Sequence, residues 1–156
     1  MTVILWDIDG PLNPYLAGWD DRMVVHGTDY NQGRFLPHHG SWMEEYLNLG
    51  VTMVWASNWL EDTIAVTELF QLPDFPYIPL EPDGTHATWK LPSVEAYLNR
   101  YYPNEPVIWL DDELEEDAYR WATNRGRMML VKVDPKAGWT EQQHNQMLQF
   151  CRDGNH

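Results

Sequence analysis

Residues 3–10, with the sequence VILWDIDG, decide the fold. The first four residues are large and apolar without polar alternation, which is typical of a strand buried on both faces of a sheet. Two acids, Asp7 and Asp9, follow at once, and Gly10 allows a turn. Carboxylates at the end of a buried strand are costly unless they are paired or bind a metal. The stretch therefore predicts a first strand over residues 3–7 with a functional site at its end.

Three more apolar runs predict buried parallel strands, over residues 51–56, 107–110 and 128–133. A weaker fifth candidate is residues 77–80, because Pro76 and Pro79 interrupt it and proline cannot donate to a strand ladder. The sheet is therefore expected to have five strands.

Helical patterns lie between these strands. A capping box of Ser41 and Glu44 predicts that the first helix begins at Ser41, and Gly50 is expected to end it. A second capping box, Thr140 with Gln143, predicts the start of the last helix. The remaining helices are expected over residues 60–71, 94–101 and 113–124. Alternating strands and helices indicate an α/β fold with a mostly parallel sheet, which binds ligands at the carboxyl ends of its strands.

The chain has 156 residues and is 44% hydrophobic, which is enough for a domain with its own core and argues against disorder. Because no repeat, low-complexity tract or linker interrupts it, we expect residues 1–156 to form a single domain. Residues 11–40 are rich in Gly, Pro, Asn and Asp, and they predict a loop and hairpin flap beside the first strand.

The formal net charge of −14 argues against non-specific binding to DNA or to anionic membranes. A local basic pocket could still hold a phosphate ester. The single cysteine, Cys151, allows no intrachain disulfide, which is typical of a reducing compartment. The apolar start is too short for a signal peptide, and no stretch approaches the ~20 apolar residues of a membrane helix. We therefore expect a cytoplasmic protein, and the sequence does not indicate its oligomeric state.

A second acidic pair, Asp111 and Asp112, follows the strand over residues 107–110. In a parallel sheet, both acidic pairs lie at the same edge. Four converging carboxylates, those of Asp7, Asp9, Asp111 and Asp112, suit a hard cation with oxygen ligands. Mg²⁺ is the natural candidate.

Two further positions suit a phosphate group. Ser57 and Asn58 follow the second buried strand, where a hydroxyl and backbone N–H groups can hold a phosphate oxygen. Lys90 precedes the third helix, and its ammonium could neutralise a phosphoryl oxygen and nearby carboxylates. Taken singly, these residues are better explained by a helix cap and a surface lysine. Together with the acids at strand ends, they predict a phosphate-binding site.

These motifs resemble those of the haloacid dehalogenase (HAD) superfamily of phosphotransferases, and the resemblance covers nearly the whole chain. Pro11 and Leu12 depart from the family, which usually has Thr or Val before the apolar residue. Within the superfamily, the chain is similar to the HAD domain of Swiss-army-knife RNA-repair proteins. The matching segments are the Asp-x-Asp-Gly motif at 7–10, Ser57, Lys90, the acidic pair at 111–112, and the stretches 9–14, 55–59, 89–90 and 109–112.

The resemblance implies a Rossmann-like three-layer sandwich and an Mg²⁺-dependent phosphohydrolase with an aspartyl-phosphate intermediate. Asp7 would attack phosphorus, and Asp9 would protonate the leaving oxygen and then deprotonate water. Asp7, the carbonyl of Asp9 and Asp111 would hold Mg²⁺. Asp112 would hold the metal through water or orient Lys90. The implied substrate is a phosphorylated nucleotide or polynucleotide end.

The spacing of the motifs predicts an open site. Members of this superfamily that act on small metabolites usually carry a cap, inserted after the first motif or between the second and third. Residues 11–40 suffice for a small flap but not for a helical cap, and residues 58–89 already hold a predicted helix and strand. We expect a capless enzyme, which favours a large substrate, because an open site relies on remote contacts for positioning.

Two alternatives are weighed against this prediction. A response-regulator receiver would place its acidic pair after the first strand and a single acceptor Asp on a middle strand, unlike the order found here. A catalytically idle HAD-fold binding or assembly module would share the fold, but the retention of every motif residue argues against it, and an assay with a generic aryl phosphate and Mg²⁺ would separate the two. The flap histidines His26, His38 and His39 lack zinc-finger spacing and are expected to pack rather than bind metal.

Tryptophans are expected in two roles. Trp6, Trp55 and Trp109 lie next to the motifs on buried strands and are expected in the core. Four others are candidates for lining the mouth of the pocket, namely Trp19, Trp42, Trp59 and Trp89.

Overall fold

A computed structural model describes residues 1–153 of the chain. Four parallel strands form the main sheet in the order β4-β1-β5-β6, and β2 pairs with β3 as a separate antiparallel hairpin. The strands are β1 Val3–Trp6, β2 Val24–Gly27, β3 Gln32–Phe35, β4 Thr52–Trp55, β5 Val107–Asp111 and β6 Met128–Lys132.

In the described part of the chain, five α-helices and one short 3₁₀ helix surround the sheet. They are α1 His38–Asn48, the 3₁₀ helix Leu60–Thr63, α2 Ile64–Phe70, α3 Leu91–Tyr101, α4 Glu116–Arg125 and α5 Glu141–Asp153. Within residues 1–153, no helix combines the length and the apolar character needed to cross a membrane.

The sheet has a core on each face, because successive side chains of a strand point to opposite sides. Ile4 and Trp6 of β1 lie in a core shared with α1, α2 and α5. Val3 and Leu5 lie in a second core shared with α3 and α4. Helices on both faces of a parallel sheet give the predicted three-layer, Rossmann-like α/β arrangement. Trp6, Trp55 and Trp109 are fully buried, as predicted.

The predicted fifth strand is wrong. Residues 77–80 contribute only an isolated bridge between Trp55 and Tyr77. The Trp55 N–H donates to the carbonyl of Pro76 at 2.8 Å. Pro76 and Pro79 have no N–H, so the segment cannot extend a ladder, and the sheet ends at β4.

The first helix begins at His38, not at Ser41, so the predicted capping box of Ser41 and Glu44 is wrong. Pro37 occupies the N-cap position with φ −57°, and the side chain there makes no capping hydrogen bond. Proline favours this start because its ring already holds φ near the helical value. The predicted flap of residues 11–40 therefore ends at Pro37, because the last three of those residues belong to α1.

Two other helix starts shift by three residues or fewer. The third helix begins at Leu91 instead of residue 94, and the fourth begins at Glu116 instead of residue 113. The fourth starts late because the Glu113 N–H donates to Asp111 Oδ1 at 2.9 Å, which forms a turn after β5. The capping box of the last helix is confirmed by hydrogen bonds of 3.0 and 3.2 Å between Thr140 and Gln143.

The β2–β3 hairpin is fixed to the segment that follows β4. Thr28 Oγ1 and Asn31 Nδ2 both donate to Asp62 Oδ2, at 3.0 and 2.8 Å. Phe35 of β3 packs edge-to-face on Trp59 and also on a phenylalanine of α2. These contacts hold the hairpin beside the turn between β4 and the 3₁₀ helix.

An aromatic cluster joins α1 to α5. His39 belongs to α1 rather than to the hairpin, and its Nε2 donates to the Trp139 carbonyl at 2.9 Å. Trp42 stacks on His144 with a ring separation of 4.9 Å and an interplanar angle of 6°. His39 is therefore packed in the core rather than in the predicted flap, and Trp42 lies in this cluster rather than at a pocket mouth.

Candidate functional site

Three acidic side chains meet at the carboxyl edge of the sheet. Asp7 follows β1, Asp111 ends β5, and Asp112 comes directly after it. One carboxylate oxygen of each lies within 4.8 Å of the others. The convergence follows from the topology, because β1 and β5 are parallel neighbours and their carboxyl ends coincide.

The carboxylate of the fourth predicted acid, Asp9, points away from this cluster, toward Asn13 and Trp59. Its Oδ1 accepts a hydrogen bond from Asn13 Nδ2 at 2.8 Å, and its Oδ2 accepts one from Trp59 Nε1 at 3.2 Å. The prediction of four converging carboxylates is therefore wrong by one side chain. Asp9 still lines the same cavity as Asp7.

Lys90 is buried beneath the acidic cluster. Its ammonium lies 2.9 Å from Asp7 Oδ1 and 2.6 Å from Asp111 Oδ2, and it donates to the Ala56 carbonyl at 2.9 Å. These three partners match the three N–H donors of lysine. Asp112 is not among them, so the implied alternative in which Asp112 orients Lys90 does not hold in this structure.

A hydrogen-bonded threonine fixes the segment that carries Lys90. Thr88 is buried, and its hydroxyl donates to Asp117 Oδ1 at 2.6 Å. The hydroxyl oxygen, Thr88 Oγ1, accepts the Glu115 N–H at 2.8 Å. These bonds join the residues before α3 to the first turn of α4. Lys90, at the N-cap of α3, is thereby directed toward the ends of β1 and β5.

Ser57 and Asn58 occupy the turn after β4. Ser57 is fully buried, and its Oγ accepts the Trp59 N–H at 3.1 Å, which is the local capping role that the alternative explanation predicts. Asn58 is exposed and lines the cavity above Asp7 and Lys90. Of this pair, Asn58 has the side chain that faces the cavity.

The acidic cluster opens into a cavity of about 360 Å³. Four acids and one lysine line it, namely Asp7, Asp9, Asp112, Glu113 and Lys90. The rest of its wall is uncharged and consists of Asn13, Tyr15, Gln32, Asn58 and Trp89. A second cavity of about 230 Å³ shares three of these residues and continues past Val25 and Arg34 of the hairpin. A larger cavity of about 790 Å³ lies between residues 76–81 and α3, and none of the acids of the cluster lines it.

The site holds more negative than positive charge. Burial raises the pKa of Asp7, repulsion from Asp111 raises it further, and Lys90 only partly opposes the shift. Burial also raises the pKa of Asp112, where the Tyr15 hydrogen bond opposes the effect and repulsion from Asp111 adds to it. Burial disfavours the charged form of Lys90, but the two adjacent carboxylates outweigh it and raise its pKa.

One ammonium thus faces three clustered carboxylates. A hard divalent cation with a preference for oxygen ligands would relieve the remaining repulsion. The donor set of the cluster therefore fits Mg²⁺.

The sequence does not predict several of the residues that form the site. The Tyr15 hydroxyl donates a hydrogen bond to Asp112 Oδ2 at 2.6 Å. The two residues are 97 positions apart in the sequence, and no local sequence pattern predicts such a contact. Gln32 reaches the cavity only because the hairpin folds back beside β1. Asn13 and Trp59 lie in the stretches 9–14 and 55–59 that carry the family resemblance, but the sequence does not predict their hydrogen bonds to Asp9. For Asn13, the signal in the sequence is an amide between Leu12 and Pro14, directly after the acidic motif.

A protein-family model described as the HAD domain in Swiss Army Knife RNA repair proteins matches residues 3–144. The match begins at β1 and ends in the first turn of α5, so it includes every residue of the site described above. No curated protein matches the chain.

Proposed function

This chain belongs to the family of HAD domains in Swiss Army Knife RNA repair proteins, and from this membership we propose that it is an Mg²⁺-dependent phosphohydrolase. The observation that carries the proposal is the buried Asp7 carboxylate, which lies against Lys90 and within the cluster of three acids. A carboxylate held in this way beside a cation, in a water-reachable cavity, suits attack on an anionic phosphate.

The carboxylates of Asp7, Asp111 and Asp112, with the backbone carbonyl of Asp9, are the groups proposed to hold Mg²⁺. When bound, the metal would supply the positive charge that lets an anionic carboxylate approach an anionic phosphate. Lys90 supplies a second, permanent positive charge at the same place. Asn58 is the residue from the turn after β4 proposed to contact a phosphate oxygen, with Ser57 shaping that turn.

In the first half of the reaction, a carboxylate oxygen of Asp7 forms a bond to phosphorus as the bond from phosphorus to the leaving oxygen breaks. The carboxyl group of Asp9 gives its proton to that oxygen, which departs as an alcohol. The products are an aspartyl phosphate at Asp7 and a deprotonated Asp9. Lys90 keeps Asp7 oriented for this step through its 2.9 Å contact with Oδ1.

In the second half, a water oxygen bonds to phosphorus as the bond from phosphorus to Asp7 breaks. Asp9 takes one proton of this water, so that inorganic phosphate leaves and both carboxyl groups return to their initial forms. The same residue thus acts first as acid and then as base.

We further propose that the chain acts as one domain without a cap. Between β1 and α1 lie loops and the β2–β3 hairpin, and the segment from β4 to α3 contains only the 3₁₀ helix and α2, among the described residues. A phosphate at Asp7 could therefore carry a substituent that extends past Asn13 and Gln32 toward the hairpin. The proposed substrate is a nucleotide or a polynucleotide end.

The net charge of −14 should limit contact between the chain and a polynucleotide to its terminal nucleotides, because the chain would repel a longer polyanion. Arg22 offers little compensation, because it is paired with Asp20 at 2.7 Å.

The test is hydrolysis of a generic aryl phosphate in Mg²⁺ and in EDTA, with Asp7→Asn beside the wild-type chain. We expect turnover only in Mg²⁺ and its loss in Asp7→Asn, whereas Glu113→Gln, at the rim of the same cavity, should retain activity. Near-normal turnover by Asp7→Asn would refute the covalent mechanism. A wild-type chain that is inactive on aryl, sugar, nucleotide and oligonucleotide phosphates would favour the idle binding module.

A further inference from the structure

The side-chain amide of Asn13 connects Asp9 to the hairpin. Its Nδ2 donates to Asp9 Oδ1 at 2.8 Å, and its Oδ1 accepts the backbone N–H of Arg34 at 2.9 Å. Because the oxygen faces a donor and the nitrogen faces an acceptor, both ends of the amide are fixed. Asn13 is only 6% exposed, so water does not compete freely for either bond.

The hairpin approaches Asn13 so closely that a glycine is required at the contact. A Cβ atom placed on Gly33 would lie 2.7 Å from Asn13 Cγ and 2.8 Å from Nδ2. The backbone also closes on itself here, because the Gly10 N–H donates to the Asn13 carbonyl at 2.8 Å. Asn13 is therefore held between the turn after β1 and strand β3.

The second donor to Asp9 also rests on β3. Trp59 donates its indole N–H to Asp9 Oδ2 at 3.2 Å, and its buried ring packs edge-to-face against Phe35 of β3. Each carboxylate oxygen of Asp9 thus receives one N–H from a buried side chain that β3 supports. A carboxylate oxygen has about two acceptor positions, so one on each oxygen is left for a proton or a substrate.

We propose that Asn13 is a positioning residue that aims the Asp9 carboxyl group at the leaving-group oxygen and ties this alignment to strand β3. The inference rests on the proposed function, in which Asp9 is the general acid and base. Asn13 also lines both cavities, so the alignment of Asp9 is set at the place where the leaving group would pass.

Leaving groups of different basicity separate this role from a merely structural one. An alkoxide is a poor leaving group and depends on protonation as the bond to phosphorus breaks, whereas a nitrophenolate departs as a stable anion. A misaligned Asp9 should therefore slow the cleavage of alkyl phosphates far more than that of nitrophenyl phosphates. General loss of structure would lower both rates alike.

Two variants separate the two hydrogen bonds that the Asn13 amide makes. Asn13→Asp retains an oxygen to accept the Arg34 N–H and removes the donor that faces Asp9, and Asn13→Ala removes both contacts. We expect kcat/KM for glycerol phosphate in Mg²⁺ to fall by on the order of 10²-fold in each variant, the lower end of what a positioned acid contributes. For nitrophenyl phosphate, kcat/KM should stay near the wild-type value.

Asn31→Ala is the matched control, because it loosens the hairpin at Asp62 without touching Asp9. It should change kcat/KM for both substrates by the same small factor. Equal losses on both substrates in the Asn13 variants, or no loss on either, would overturn the inference.

A readout independent of turnover keeps this proposal distinct from the proposed function. The ¹H–¹⁵N signal of the Trp59 indole, assigned through Trp59→Phe, should shift in Asn13→Ala if Asn13 holds Asp9 against Trp59. An unchanged signal contradicts the positioning contact even in an active enzyme. If the signal shifts in Asn13→Ala but the wild-type chain hydrolyses neither substrate, the contact stands, and the proposed function and the positioning role of Asn13 in catalysis are contradicted.

Discussion

The Lys90 ammonium lies 2.9 Å from Asp7 Oδ1, and the two side chains are 5% and 4% exposed. The same ammonium lies 2.6 Å from Asp111 Oδ2. Lysine and aspartate are almost never fully buried unless they are paired, so the site depends on this contact to keep its charges in place. Lys90 thus serves the stability of the fold and the orientation of Asp7 at once.

Replacing Lys90 by methionine should destabilise the chain strongly. The Lys90→Met variant leaves Asp7 and Asp111 as adjacent buried anions, and breaking a buried pair in this way costs about 3–5 kcal/mol. The measurement is the free energy of unfolding in urea at neutral pH without Mg²⁺. Lys136→Met, at an exposed position, is the control and should change little. A Lys90→Met variant as stable as the wild-type chain would show that Asp7 and Asp111 are not both charged.

Mg²⁺ should stabilise the folded chain. Binding to the three-carboxylate cluster at a hundred times Kd would add about 2.7 kcal/mol by mass action, or roughly 5–10 °C in Tm for a chain of this size. Asp111→Ala should remove most of the rise, although it also deprives Lys90 of a partner. Asp112→Asn should remove much of it without that complication.

Glu113→Gln is the matched control for the metal prediction. It removes the same charge one position further along the chain but lies outside the cluster of three. Equal melting curves in EDTA and in millimolar Mg²⁺, or equal effects of Asp112→Asn and Glu113→Gln, would count against a specific site.

The parts of the fold that local sequence determines were predicted well. Strands β1, β4, β5 and β6 are continuous apolar runs, and their parallel arrangement is enough to bring Asp7 close to Asp111. Residues 77–80 failed as a strand because two prolines remove the donors that a ladder requires. The start of α1 was misplaced because the fixed φ of Pro37 decided it, rather than a capping side chain.

The finer geometry of the site was not predictable, because it depends on contacts between distant segments. The Tyr15 hydroxyl meets Asp112 only after β1 and β5 have paired, and Asn13 meets Arg34 only after the hairpin has folded back. Motif spacing predicts which backbone positions reach the edge of the sheet. It does not predict where each side chain turns, and this is why Asp9 was expected in a cluster that its carboxylate does not join.

His39 should make the folded chain sensitive to acid. Burial lowers the pKa of His39 to about 3, with His38 and His144 adding to the shift and the hydrogen bond to Trp139 opposing it. Its Nδ1 is buried and has no hydrogen-bond partner within residues 1–153, so protonation there is unfavourable. Because the pKa is lower in the folded state than its ordinary value of 6.5, the unfolded chain binds the extra proton first.

The contribution of His39 to stability is therefore fully present above about pH 6.5 and is lost as the pH falls toward 3, at ~1.4 kcal/mol per pH unit. Urea unfolding between pH 7 and about 4.5 should show a smaller loss of stability for His39→Phe than for the wild-type chain. His86→Gln, an exposed histidine, should follow the wild-type curve. Parallel curves for His39→Phe and the wild-type chain would contradict the prediction.

Asp9→Asn should separate the two halves of the proposed reaction. Asparagine can neither donate the carboxyl proton nor accept one from water, so both halves slow, by on the order of 10²–10⁴-fold for each general acid or base step. With a nitrophenyl substrate, the first half needs little protonation, and the aspartyl phosphate should persist. Rapid quenching and intact mass measurement would detect the added phosphoryl group on Asp9→Asn and none on Asp7→Asn. Absence of the adduct in both variants would argue for direct attack by water.

The open site should favour a polynucleotide end over a mononucleotide. The cavity above Asp7 neighbours a second cavity along the hairpin, and Asn13, Tyr15 and Gln32 line both. A substrate with a second nucleotide could occupy both, whereas a mononucleotide would leave the hairpin cavity unused. Remote contacts of this kind position a phosphate when no lid closes over it. Repulsion from the net charge of −14 opposes the effect at low salt and is screened at moderate salt.

The comparison is kcat/KM for a 3′- or 5′-phosphorylated oligonucleotide against that for the matching mononucleotide, at low and at moderate salt. The ratio should exceed one and should rise with salt, because screening removes a repulsion that is greater for the more highly charged oligonucleotide. Gln32→Ala should lower the ratio by affecting the oligonucleotide more than the mononucleotide, since Gln32 lines both cavities. Gln142→Ala, at an exposed position on α5, should leave the ratio unchanged. A clear preference for the mononucleotide at both salt concentrations would show that the hairpin cavity does not hold a second nucleotide.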